Sequence, residues 1–146
     1  MPMLHFKAIT PHDKEYADVF ALREEILRKP LGLSLHDEDL GNEVNEHILV
    51  AEENDIIVAC LILTPRSDQM AQLRQMAVAG NMQGKNIGRR LVNYAEQFAL
   101  EKGYQQIILH ARMVAKGFYD KLGYRQEGGV FTEVNIPHVE MVKDIA

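Results

Sequence analysis

Residues 73–91 constrain this chain more than any other stretch. A short apolar run with strand character ends at Val78. A polar turn with Gly80, Gly84 and the cations Lys85 and Arg89 follows. Ile87, Leu91, Ala95 and Phe98 then recur at helical spacing, which predicts an amphipathic helix closed by Gly103. A strand that feeds through a glycine-containing loop into a helix N-terminus forms an anion site. The first helical N–H groups lack partners, the helix dipole is positive there, and glycine lets a phosphate approach the backbone. The segment therefore predicts a phosphate-bearing ligand at residues 83–89.

The rest of the chain bounds what can surround that site. Its 146 residues, 47% of them hydrophobic and 25% charged, predict a single domain, 1–146, with a core of its own. No apolar run reaches the ~18 residues of a membrane span, and no signal-peptide pattern is present, so the expected location is cytoplasmic. Cys60, the one cysteine, sits in the apolar run 56–63 and reads as core. A net charge of −5 argues against a nucleic-acid partner. The six histidines lack paired ligand spacing, which predicts no metal site. Gly80 to Lys85 is not a Walker loop, because Asn86 stands where Ser or Thr should meet magnesium.

Periodicity predicts a strand at 4–9 and a helix from Tyr16 to about Leu27, ended by Pro30 and Gly32. Residues 33–46 read as a loop or a short second helix, and the acidic stretch 37–46 as a solvated face. Residues 47–51 and 56–63 predict a hairpin, and 71–78 a fourth strand. After the long helix come a buried strand at 106–110 and a short helix at 113–122. The last strand segments fall at 124–126 and 139–142, with Gly128 and Gly129 in their connection. This alternation predicts an α/β (mixed α+β) fold with a mixed sheet and helices on its faces.

The element order, with two local motifs, resembles the GNAT superfamily of acyl-CoA N-acyltransferases. The first motif is the phosphate loop Gln/Arg-x-x-Gly-x-Gly/Ala, matched by Gln83 at its start and Gly88 at its end. Asn86 replaces the middle glycine, and Asn is among the better non-glycine residues at unusual backbone angles. The second runs from Leu109 through Phe118, Tyr119, Lys121, Leu122 and Gly123 to Tyr124, and resembles the family's splayed strand and following helix. The tail 131–143 is similar to that of small bacterial members without an assigned substrate. The likeness spans about residues 4–143 and implies a mainly antiparallel central sheet of six to seven strands, with helices on both faces.

The resemblance implies an N-acetyltransferase that moves acetyl from acetyl-CoA to a primary amine of a small molecule, by direct attack in a ternary complex. Gly84, Lys85, Asn86, Ile87, Gly88 and Arg89 would surround the phosphates, with Gln83 shaping the turn. Backbone groups of Met76, Ala77 and Val78 would pair with the pantetheine arm, and the Met76 N–H would polarise the thioester carbonyl. Tyr119 would protonate the departing thiolate; read alone, it is more often a packing aromatic. Arg23, His110, Arg112 and His138 are acceptor-site candidates. A carboxylate, a histidine or a water relay would act as base, with His110 and His138 as the histidines near the site and Glu43, Glu46 and Glu133 as carboxylate options. The rival readings are a non-catalytic acyl-CoA-binding module on the same fold and an acetyltransferase for peptide or protein amines. Homodimer formation is left open.

Overall fold

The computed structural model describes residues 3–146. Its strands are β1 (His5–Ile9), β2 (His47–Glu53), β3 (Ile56–Pro65), β4 (Met70–Val78), β5 (Gln106–Arg112), β6 (Arg125–Glu133) and β7 (Ile136–Asp144). They form one sheet in the order β1-β2-β3-β4-β5-β7-β6. Every neighbouring pair is antiparallel except β4 with β5. The helices are α1 (Tyr16–Arg23), α2 (Ile87–Glu101) and α3 (Lys116–Lys121).

The helices cover both faces, as the sequence predicts. On one face Leu91, Val92 and Ala95 of α2 and Tyr119 of α3 pack with Leu49, Leu61, Leu73, Leu109 and Met141. On the other, Val19 of α1 packs with Ile48, Val50, Cys60 and Ile62. Cys60 is buried core, and burial pushes its thiol up to about 12. α1 runs on into a π-helical turn, Glu24–Arg28, and stops at Gly32 in the left-handed region at φ 70°.

Two expectations change. Residues 33–46 form neither a plain loop nor a second α-helix but two 3₁₀ turns, Leu35–Asp37 and Gly41–Asn45. Within this acidic segment Glu43 is buried rather than solvated. The last two strands are also much longer than their apolar signal. Gly128 and Gly129 lie inside β6, where the β6–β7 register shifts between Glu127 and Phe131. The true connection is Val134 and Asn135, both at positive φ, as a two-residue hairpin turn needs. β6 is an edge strand and mostly exposed, so no alternation of apolar residues marks it in the sequence.

Candidate active site

The site begins where two parallel strands part. β4 and β5 pair only from Met70 with Gln106 to Leu73 with Leu109. Beyond that, Arg74 to Val78 of β4 have no strand partner among the described residues on the side that faces β5. Met76 and Arg112 each lie three residues past the last pair, level across the opening.

A bulge aims the β4 backbone here. Ala77 pairs with Cys60 and Arg74 with Ile62, so Gln75 and Met76 together oppose Leu61. Gln75 sits at φ 56°, an uncommon angle for a side chain longer than Asn. Arg23 holds it from behind. The Arg23 Nε donates to Gln75 Oε1 at 3.4 Å, while its two terminal nitrogens donate to both oxygens of Glu43 at 2.8 Å. The Tyr16 hydroxyl also donates to Glu43 Oε1, at 2.6 Å. Burial, reinforced by the Glu43 carboxylate, pushes the Tyr16 phenol up to about 12. Arg23 is thus spent inside the fold. Its charge is balanced by Glu43.

The loop after β4 keeps its donors free. Among the described residues, no backbone N–H from Gly84 to Arg89 donates to another backbone carbonyl. Gly84 lies at φ 80°, and Asn86 caps α2 in the left-handed region at φ 63°, ψ 13°. Asn86 therefore does occupy an unusual backbone angle, where Asn pays a smaller steric penalty than other side chains. The Gln83 amide reaches back to the Val78 carbonyl at 3.0 Å and ties the loop to the end of β4. Lys85 and Arg89 are exposed, and neither enters an ion pair among the described residues. Six free N–H groups, a helix N-terminus and two free cations suit the negatively charged phosphates of a nucleotide.

α3 closes the opening from the α2 side. A Cβ built on Gly88 would lie 3.5 Å from Phe118 Cζ, 3.7 Å from Val78 Cγ2 and 3.8 Å from Met76 Cε. That contact joins the start of α2, the end of β4 and α3 at one point. Tyr119, next to Phe118, is 7% exposed and packs edge-on against Phe118 and Tyr124. Its hydroxyl has no hydrogen-bond partner among the described residues, and burial pushes its phenol up to about 12.

With this geometry in place, a family model described as an acetyltransferase (GNAT) domain matches residues 21–145. The chain belongs to the GNAT acetyltransferase family. It is 29% identical over 139 residues to the uncharacterized N-acetyltransferase YjcF of Bacillus subtilis, covering 93% of this chain and 97% of that one. Its fold matches an acyl-CoA N-acyltransferase from Pseudomonas aeruginosa with a TM-score of 0.84 at 21% identity, over 97% and 99% of the two chains. It also matches a GNAT acetyltransferase from Elizabethkingia anophelis, solved with acetyl-CoA bound, with a TM-score of 0.71 at 19% identity over 97% of each chain.

In this GNAT chain the candidates from the sequence fall into three places. Gln83, Gly84, Lys85, Asn86, Ile87, Gly88 and Arg89 form the loop, with Met76, Ala77, Val78 and Tyr119 beside it. His110, Arg112 and His138 lie on β5 and β7. Arg23 stands apart behind the bulge, and Glu46 is engaged by Thr64 and by Arg74 at 3.4 Å. Gln75 is the residue that the motifs did not single out. Its only sequence signal is its place beside Met76, because a bulge depends on the register of β3 against β4. Among the described residues no group of three His, Cys, Asp or Glu side chains could hold a metal ion, and no helix is long and apolar enough to cross a membrane.

Proposed function

We propose that the protein transfers acetyl from acetyl-CoA to a primary amine of a small molecule, by direct attack within a ternary complex. The observation that carries this reading is the run of free N–H groups from Gly84 to Arg89 at the mouth of the β4/β5 opening. The pyrophosphate sits on those amides, with Lys85 and Arg89 adding charge-assisted contacts. The pantetheine arm enters the opening and pairs with the free edge of β4 at Met76, Ala77 and Val78, as an added strand would. The acetyl carbonyl then meets the Met76 N–H, which stabilises the oxyanion of the tetrahedral intermediate.

Tyr119 supplies the proton for the departing sulfur. Its burial keeps the phenol protonated at neutral pH, so the acid is in its working form. The acyl-CoA-dependent family and the acetyl-CoA complex of the Elizabethkingia anophelis neighbour support the choice of donor. Calorimetric titration with acetyl-CoA, CoA and ATP in parallel tests the reading. Binding of acetyl-CoA and CoA without ATP is expected, followed by thiol release with an amine panel. Absence of CoA binding overturns it.

A further inference from the structure

α1 lies over β3 and β4, and the same face of β5, β7 and β6 carries a separate cluster of ionisable side chains. His138 on β7 stands opposite Arg112 on β5 and opposite Phe131 on β6. It is 5% exposed. Its Nδ1 lies 2.7 Å from the Ile136 carbonyl oxygen. A carbonyl only accepts, so Nδ1 carries a proton, and in the neutral ring the lone pair is then on Nε2. That nitrogen faces Glu133 Oε2 at 3.6 Å, beyond hydrogen-bond range. Glu133 Oε1 meanwhile lies 3.1 Å from His110 Nδ1, and His110 Nε2 lies 3.6 Å from Glu140 Oε1.

His138 spends Nδ1 on its own strand, so its neutral form presents the Nε2 lone pair beside a carboxylate that can steady the imidazolium, the arrangement a general base needs. The charged groups around it are Glu133 from β6, His110 and Arg112 from β5, and Glu140 from β7. Through Arg112 the cluster stands level with Met76 across the opening.

We propose that His138 Nε2 is the base that deprotonates the acceptor, and that the acceptor is a cationic primary amine guided to it by Glu133 and Glu140. This rests on the acetyl-transfer reading above. The ammonium gives one proton to His138 Nε2, and the freed lone pair forms the C–N bond at the thioester carbonyl carbon. When the C–S bond breaks, its electron pair leaves on sulfur. The sulfur takes the proton of Tyr119, which regains one from the new amide nitrogen. The imidazolium, steadied by Glu133, releases its proton to solvent.

Three measurements test this. Calorimetry of wild type and His138→Gln with acetyl-CoA is expected to give equal affinity; no binding by the wild type would sink the acetyl-transfer reading itself. Ring-nitrogen NMR across pH is expected to show the neutral form of His138 carrying its proton on Nδ1, and a neutral form protonated on Nε2 overturns the proposal. Thiol release above an enzyme-free blank is then followed with 1,4-diaminobutane, which is protonated at neutral pH, and with aminoacetonitrile, a primary amine mostly neutral there. His138→Gln is expected to lower kcat/KM for the diamine by ~10²–10⁴-fold and for the neutral amine by much less. Equal losses for both, or a wild type that binds acetyl-CoA yet accepts only uncharged amines or none, overturn the assignment.

Discussion

Arg23 and Glu43 face each other through two parallel 2.8 Å hydrogen bonds, with the arginine 1% and the glutamate 5% exposed. They come from α1 and from the second 3₁₀ turn, so the pair clamps residues 41–45 onto the back of the β4 bulge. A buried pair contributes little net stability, but either charge alone is costly because its partner stays desolvated. Glu43→Leu is expected to cost about 3–5 kcal/mol, and Arg23→Met with Glu43→Leu to recover most of it. Urea denaturation of the wild type, both single variants and the double checks this; a double loss equal to the sum of the two single losses would mean the pair is not coupled.

At Asn86 the backbone, not the side chain, sets the outcome. Its left-handed angle lets Asn86→Gly fold and bind CoA at least as well as the wild type, whereas Asn86→Val is expected to cost about 1–2 kcal/mol. Thermal melts with and without CoA read both effects. A neutral Asn86→Val would show that the loop relaxes away from this angle.

Gly88 separates steric room from charge. An added methyl meets Phe118 at ordinary contact distance, so Gly88→Ala is expected to fold normally with a modest loss of CoA affinity. Gly88→Glu places a carboxylate among the phosphates and is expected to abolish binding. Calorimetry decides it, and retained CoA affinity in Gly88→Glu would place the phosphates elsewhere.

Tyr119→Phe is expected to lower kcat by ~10²–10⁴-fold while CoA affinity stays nearly constant. With the phenol pushed up to about 12, Tyr119 adds no basic limb to the rate profile at neutral or mildly alkaline pH. An unchanged kcat in the variant removes Tyr119 as the acid.

His47 links pH to stability. Burial, with a smaller push from Lys102, holds its imidazole below the ordinary value; its Nε2 lies 3.3 Å from the Tyr104 hydroxyl. The unfolded chain takes up the proton near ~6.5 and the folded one resists it. The contribution is therefore full above ~6.5 and lost as pH falls below it. Glu24 is lowered chiefly by the Leu35 backbone N–H and Glu38 chiefly by Arg28, so their losses come only at more acidic pH. As pH falls from about 6.5 to 5 the denaturation midpoint of the wild type is expected to drop, while that of His47→Gln changes much less. Parallel pH profiles for the two proteins would reject the role.

Local rules made a large part of the molecule legible in the sequence. The loop 83–89, the stripe of α2, the left-handed caps at Gly32 and Asn86 and the core position of Cys60 each depend on neighbours within a turn or a strand. The order of the elements followed from the same signals. What the tertiary structure alone decided are relationships between distant residues: β7 inserted between β5 and β6, the bulge that turns Gln75, and the pairing of Arg23 with Glu43. The meeting of His110, Glu133 and His138 is of this kind as well. Strand register and the burial of charge are set by packing across the whole sheet, and no spacing along the chain encodes which partner a buried side chain will find.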